Sequence, residues 1–266
     1  MLGEILLVAM ALTPVERAVA YLSTEVPRWR GENGCFSCHN NGDGARALYA
    51  ARVAPEGAAL RETTAWVTNP AAWDSNRGDP AVSDKKLARI QFGAALLASG
   101  RREAVCVAAG AIGKDMGADG SWTVDAGSPA TYGTVLATYF AREVLRACGR
   151  ETALTDRWLA GRRAESVVEA AALLMAAPGR ADAREFLLRA RTSDGAWGEY
   201  PGTPAQVFDT AVAVIALRGD AKGRAWLLAR QQPEGGWAET TRPPGSQSYA
   251  QHISTTAWAL MALLTD

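Results

Sequence analysis

Apolar positions along this chain recur with helical spacing. In Thr155–Arg163 and Asp182–Arg191, Leu, Phe and Trp fall on one side and Arg and Asp on the other, which predicts amphipathic helices. Val167–Ala177, Val207–Leu217 and Ile253–Leu264 are apolar nearly all round, and a helix of that kind must be buried on every side. Long alternating runs of the β type are absent from the sequence. About twelve helices are predicted, over 13–27, 43–53, 57–68, 84–99, 102–113, 129–148, 152–162, 164–177, 181–191, 204–218, 221–231 and 251–264. Thr13-Pro14-Val15-Glu16 is a strong start, with Thr as N-cap, Pro at the first helical position and Glu closing a capping box. Ser83-Asp84, Ser128-Pro129 and Thr203-Pro204 read the same way. The class is all-α. Alternation of amphipathic and buried helices predicts an outer ring around an inner one, an α/α toroid of about six hairpins.

A repeat supports the hairpins. Asp119-Gly120-Ser121-Trp122, Asp194-Gly195-Ala196-Trp197 and Glu234-Gly235-Gly236-Trp237 share an acidic-Gly-small-Trp pattern, with the Trp residues 75 and then 40 apart. Glycine permits the turn, and each Trp is expected to wedge between neighbouring hairpins. An apolar helix follows each turn, marked by Thr134-Val135-Leu136-Ala137, Thr210-Ala211-Val212-Ala213 and Thr256-Ala257-Trp258-Ala259. The Trp-to-Thr gaps of 12, 13 and 19 make Thr240–Tyr249 an insertion, and Ala71–Val82 is a second. Each reads as an ordered surface loop or a lid.

Gln231, Gly235 and Trp237 satisfy the spacing Q-x-x-x-G-x-W, so the chain resembles the squalene-cyclase and prenyltransferase repeat superfamily. Met116 and Arg191 stand where the other two turns would carry Gln. The resemblance implies a toroid whose inner helix ends line a central cavity. Its chemistry carries over poorly. Protonating cyclases of this fold use D-x-D-D-T-A with the middle Asp as general acid, and here the stretch is Gln206-Val207-Phe208-Asp209-Thr210-Ala211. Phe208 stands where the acid would be, and Phe donates no proton. Asp209 is then a polar lining or helix-start residue. The zinc-dependent prenyltransferases use separated Asp, Cys and His ligands, for which no Asp-x-Cys pattern is present; Cys148 and His252 are the only Cys and His beyond residue 110.

Cys35-Phe36-Ser37-Cys38-His39 matches C-x-x-C-H, the attachment motif of c-type haem. Two thiols three apart suit the two vinyl groups, and the adjacent imidazole reaches the iron. Two other readings stand behind it. Cys35, Cys38 and His39 also read as part of a zinc site that needs a fourth ligand, or as a disulfide or two thiols with His39 capping a helix. Cys106 and Cys148 fall inside apolar helices and read as buried hydrophobes. Aligning the inner helices on their Thr-Ala steps puts His252 in the slot of Gln206 and Ala130, and puts His39 one residue before that slot in the first inner helix. If the ring closes, His39 and His252 are expected to face one another across a haem or share a metal ion. The plainer reading makes His252 a surface residue of the 242–251 loop.

The chain has 266 residues, with 28 Lys+Arg against 28 Asp+Glu and 48% hydrophobic residues. That composition excludes a disordered chain, a collagen-like repeat and a disulfide-dense mini-protein. The basic residues are 24 Arg and 4 Lys, and pairs such as Arg101-Arg102 lack interleaved aromatics, so no nucleic-acid surface is expected. No stretch approaches the ~20 apolar residues that span a bilayer. Ile5–Leu12 is a short apolar run, and Ala9-Met10-Ala11 has the form of a signal-peptidase site, but no Lys or Arg precedes the run. Residues 1–12 are a signal-peptide remnant or a packed N-terminal segment, and 1–266 is otherwise one domain.

Two functions follow. In the first, the toroid carries one covalent haem c on Cys35, Cys38 and His39, with His252 as distal candidate; it moves electrons to a redox partner and is periplasmic or exported. In the second, it is a cofactor-free or zinc-bearing relative that binds or converts an isoprenoid-type hydrophobic small molecule, with Asp43, Tyr132, Asp209 and His252 as polar lining; it would then be cytoplasmic.

Overall fold

A computed structural model describes residues 12–76, 84–124, 132–240 and 249–265 of the chain. Twelve α-helices occur among the described residues: α1 (Pro14–Asn33), α2 (Gly44–Ala50), α3 (Arg61–Val67), α4 (Lys85–Ser99), α5 (Arg102–Lys114), α6 (Gly133–Ala147), α7 (Ala153–Gly161), α8 (Val167–Ala176), α9 (Ala181–Ala190), α10 (Val207–Ala216), α11 (Ala221–Leu228) and α12 (Tyr249–Leu264). A π-helical turn, Cys38–Asp43, leads into α2, and a 3-10 helix, Pro70–Ser75, follows α3. The even-numbered helices form the inner ring, each packed on the next, and α12 returns onto α2 and the π turn to close it. The odd-numbered helices lie outside. The fold is an α/α toroid of six hairpins.

The capping box at Thr13 forms as its sequence predicts: the Glu16 N–H donates to Thr13 Oγ1 at 3.2 Å and the Thr13 N–H to Glu16 Oε2 at 2.7 Å. Helix α1 passes through Pro27 and ends at Gly34, which takes φ 65. The extension beyond the predicted end carries Arg28, paired with Glu25 and Glu32 at helical spacing.

The three Trp turns share one construction. Trp122, Trp197 and Trp237 are fully buried, and their indole N–H groups donate to the carbonyls of Ile112, Leu187 and Leu227 at 2.7–2.8 Å. Their backbone N–H groups donate to the hydroxyls of Thr138, Thr210 and Thr256, each at 3.0 Å. Gly120, Gly195 and Gly235 take φ of 89, 90 and 100, and a Cβ on each would collide with Leu154, Lys222 and Arg17 of the next outer helix. The third collision closes the ring, because Arg17 belongs to α1. Gln231 seals the same seam: its amide donates to Pro14 and Gly235 carbonyls and its oxygen accepts from Arg17 at 2.6 Å. The substitutes serve the same seams, Met116 accepting from Thr155 and Arg191 pairing with Asp220.

Several expectations are corrected. Thr138 occupies the place assigned to Thr134, which instead accepts from the Val124 N–H at 3.4 Å; the sequence alignment chose a Thr one helical turn early. The slot of Gln206 and His252 is therefore Thr134 in α6, not Ala130. Helix α10 starts at Val207, because Thr203 and Pro204 belong to a turn in which the Thr203 hydroxyl bonds Tyr200. Helix α3 starts at Arg61 after a run of turns from residue 55. Cys106 and Cys148 are not separate buried hydrophobes; they form a disulfide joining α5 to the end of α6. Residues 5–11 of the proposed signal-peptide run, the Ser128-Pro129 start, residues 77–82 of the first insertion and residues 241–248 of the last lie outside the described residues. No helix among those described is long and apolar enough to cross a membrane.

Candidate functional site: a rim motif and a buried carboxylate

Residues Cys35–His39 lie half-buried at the rim where the inner helices begin. Asn76 clamps this segment, accepting from the Phe36 N–H at 3.1 Å and donating to the Phe36 carbonyl. The Phe36 ring stacks on Trp66 at 4.8 Å with Arg30 above it. Ser37 caps the π turn by accepting from the Asn40 N–H, and the Ser37 N–H donates to Asn41. A π turn needs such outside support, because its own hydrogen-bond geometry is rare and functional sites favour it. Cys35 and Cys38 are free thiols. Cys38 Sγ lies 3.3 Å from His39 Nδ1, and burial pushes the thiol up to about 12. A thiol so raised is no ready nucleophile. Burial also lowers the His39 pKa, against the opposing field of Asp43, so the imidazole is held neutral.

Asp43 ends the π turn and is fully buried at the toroid centre. Tyr132 donates to its Oδ1 at 3.2 Å; Ser254, Trp258 and Gln91 donate to Oδ2 at 2.9, 3.1 and 3.4 Å. Arg46, one turn on, reaches Tyr132 Oη at 3.5 Å and lies over the Phe140 and Trp258 rings. Burial raises the Asp43 pKa more than Arg46 and the donors lower it. The Gln91 carboxamide oxygen is buried without a partner of its own and faces His39, so an acceptor for an imidazole N–H stands between rim and centre. Around the carboxylate, Tyr132, Phe208 and Trp258 fill the axis, with Trp258 centroids 5.8 Å from Tyr132 and 5.3 Å from Phe208.

Asp43 and Tyr132 are thus brought together as expected of a common lining. Asp209 is also fully buried, in the first turn of α10, with no hydrogen bond to Asp43. His39 and His252 are not brought together. Ser254 faces Asp43, and His252, two residues earlier, points roughly 200° round the helix from it. His252 instead lies against Tyr21 of α1, centroids 5.4 Å apart, with its Nε2 buried and unpartnered beside Gly236. Ring closure by α12 is as predicted, but the histidine lies on the seam side of that helix. Among the described residues no group of three or more His, Cys, Asp and Glu is placed to hold a metal ion. Gln91, Arg46, Ser254 and Trp258 were missed by sequence reasoning. Arg46 as the lone charged residue of α2, and Gln91 as the lone polar residue of the apolar run 90–96 in α4, carried the one usable signal.

The architecture is an α/α toroid, a fold shared with a solved terpene cyclase. The chain is similar to the type II terpene cyclase MstE from Scytonema, solved without ligand, with a TM-score of 0.64 and 12% identity over 95% of this chain and 98% of that one. No family model and no curated protein matches the sequence.

Proposed function

We propose that this toroid carries one covalent c-type haem at Cys35, Cys38 and His39 and serves a redox role. The observation that carries the reading is the contrast between the two cysteine pairs. Cys106 and Cys148 are joined, whereas Cys35 and Cys38, three residues apart at the rim beside His39, are both free. The residues present fit the group: two free thiols at attachment spacing and a neutral imidazole, with the Gln91 oxygen beside it as an acceptor that a ring N–H could reach. Cys35 and Cys38 would hold the haem and His39 would ligate its iron; bound there, the haem supplies a one-electron couple. A disulfide fits an oxidising compartment, where c-type proteins are matured, so an exported location is part of the proposal. His252, directed to the α1 seam, is not part of the ligand set in this arrangement.

Expression with an export signal and c-type maturation machinery, followed by a pyridine haemochrome assay, tests the reading. Covalent haem in the parent protein and its loss or single-linkage spectrum in Cys38→Ala are expected. A parent protein that folds and forms its Cys106–Cys148 disulfide but acquires no haem would overturn it.

One observation favours a second reading. A buried carboxyl with a raised pKa among aromatic rings suits proton donation to an isoprenoid alkene, and the structural neighbour from Scytonema is a terpene cyclase. The packed rings of Tyr132, Phe208 and Trp258 occupy the space such a substrate would need, which ranks this reading second. Turnover of an isoprenoid by the parent protein and not by Asp43→Asn would reverse the ranking.

A further inference from the structure

The inner helices all end on the rim opposite Cys35–His39, and a cavity of about 300 Å³ opens there between the ends of α8, α10 and α12 and Tyr139 of α6. That volume lies at the lower end of small-ligand sites. Leu174, Met175, Pro178 and Ile215 form an apolar wall, and Tyr139 and Arg218 bring polar groups to it. Helix C-termini offer carbonyl oxygens, which would favour a cation or donor. Three of those carbonyls are already taken: Ala176 accepts from Arg142, and Leu263 and Thr265 accept from Arg224. Among the lining side chains, two donors remain uncommitted. The exposed Arg218 guanidinium makes no ion pair or hydrogen bond among the described residues, and neither does the Tyr139 hydroxyl. Burial raises the Tyr139 pKa, the Glu143 carboxylate adds to the rise, and Arg46, Arg142 and Arg146 oppose it.

A second observation concerns the backbone. Arg218 has φ 56, a left-handed conformation that glycine adopts without strain. Gly100 and Gly149 fill the same role at the ends of α4 and α6, with φ 70 and 65. An arginine where glycine suits the backbone better carries a strain that a use for its side chain would offset. Arg52, with φ 62 after α2, adds a second such arginine near the same rim.

We infer that this cavity is a binding site for a small amphipathic carboxylate, its apolar chain against Met175 and Ile215 and its carboxylate on Arg218 and Tyr139. The site is independent of the haem reading, because it lies at the other end of the toroid and its test reads binding alone. Octanoate serves as the probe and octanol as its uncharged control, in calorimetric titrations of the full chain. Saturable binding of octanoate at one site is expected, with octanol weaker by about tenfold, the worth of a hydrogen bond to a charged group. Arg218→Gln should weaken octanoate by about the same factor and leave octanol unchanged. Arg218→Gly should raise the melting temperature while losing octanoate affinity, a pairing that a purely structural arginine would not give. Met175→Trp should fill the cavity and abolish both. No saturable octanoate binding, equal affinities for octanoate and octanol, or an unchanged affinity in Arg218→Gln would each overturn the inference.

Discussion

The three Trp seams and the first inner segment solve the same packing problem in opposite ways. Each seam buries an aromatic ring and satisfies the Trp indole and backbone N–H groups through one repeated set of partners: a carbonyl ten residues back and a threonine hydroxyl ahead, with a glycine against the next outer helix. The segment Cys35–Asp43 repeats none of this. It enters the ring through a π turn, keeps two free thiols and a neutral imidazole at the rim, and puts a carboxylate at the centre that donors from α4, α12 and the start of α6 must satisfy. Regular seams hold the ring together, and the irregular segment is where polar groups are concentrated inside it. Three of the six hairpins keep the Trp construction and three do not, and of those three the α1–α2 connection is the one that brings a π turn and a buried carboxylate into the ring.

The comparison breaks first at the seams. Trp237→Ala should cost about 3–5 kcal/mol, as for other buried aromatic truncations, and Trp197→Ala about the same. Denaturant titration checks this, and a much smaller loss at Trp237 would mean that ring closure onto α1 contributes little. Asp43→Ala leaves the Tyr132, Ser254 and Trp258 donors without their acceptor and Arg46 without its counter-charge; a loss of about 3–5 kcal/mol is expected. Equal or greater stability in that variant would mean that the centre is held by its rings alone. Reducing the Cys106–Cys148 link, which closes a loop with a sequence separation of 42, should cost about 4 kcal/mol by the chain-entropy estimate, measured as the shift in urea midpoint on adding a thiol. Gln231→Ala should cost only about 1–2 kcal/mol, since it strands Arg17 but removes no ring.

The smallest effect is the most discriminating, because the two regions titrate with opposite signs. Hydrogen bonds from the Ser121 backbone and side chain lower the Asp119 pKa, and Thr192 and Trp226 lower that of Asp194. Their contribution is present above the ordinary Asp value of 3.8 and is lost as pH falls through their lower folded values. Both are exposed, so the change is slight. Burial raises the Asp43 pKa, so its contribution is full below 3.8 and is lost as pH rises through the higher folded value. Relative to the parent, Asp43→Asn should therefore gain stability as pH rises above 3.8, whereas Asp119→Asn should lose it as pH rises from the lower folded value up to 3.8 and then stay level. Melting curves of the two variants across acid to neutral pH separate the cases; parallel profiles would contradict the assignment.

What could be read in advance follows the same division. The Trp seams were legible because each residue's task is set by near neighbours in sequence and repeated at a fixed spacing. Thr134 was mistaken for Thr138 because both lie on the same face of α6 one turn apart, and only the Trp122 contact tells them apart. The disulfide was missed because nothing local pairs Cys106 with Cys148; their approach follows from α5 packing on α6. His39 and His252 were rightly put on neighbouring helices, but a helix start does not reveal which way its residues point.

By itself the sequence determined the all-α class, the two rings, their closure and the rim position of Cys35-x-x-Cys38-His39, since periodicity and turn chemistry act over a few residues. The tertiary structure alone decided that Asp43 lies at the centre with Gln91, Tyr132, Ser254 and Trp258 as donors, that aromatic rings fill the axis, and that three carbonyls of the far rim are already claimed. Those facts depend on side chains from distant helices meeting in three dimensions, where burial and hydrogen-bond satisfaction are properties of the assembled ring rather than of any one segment.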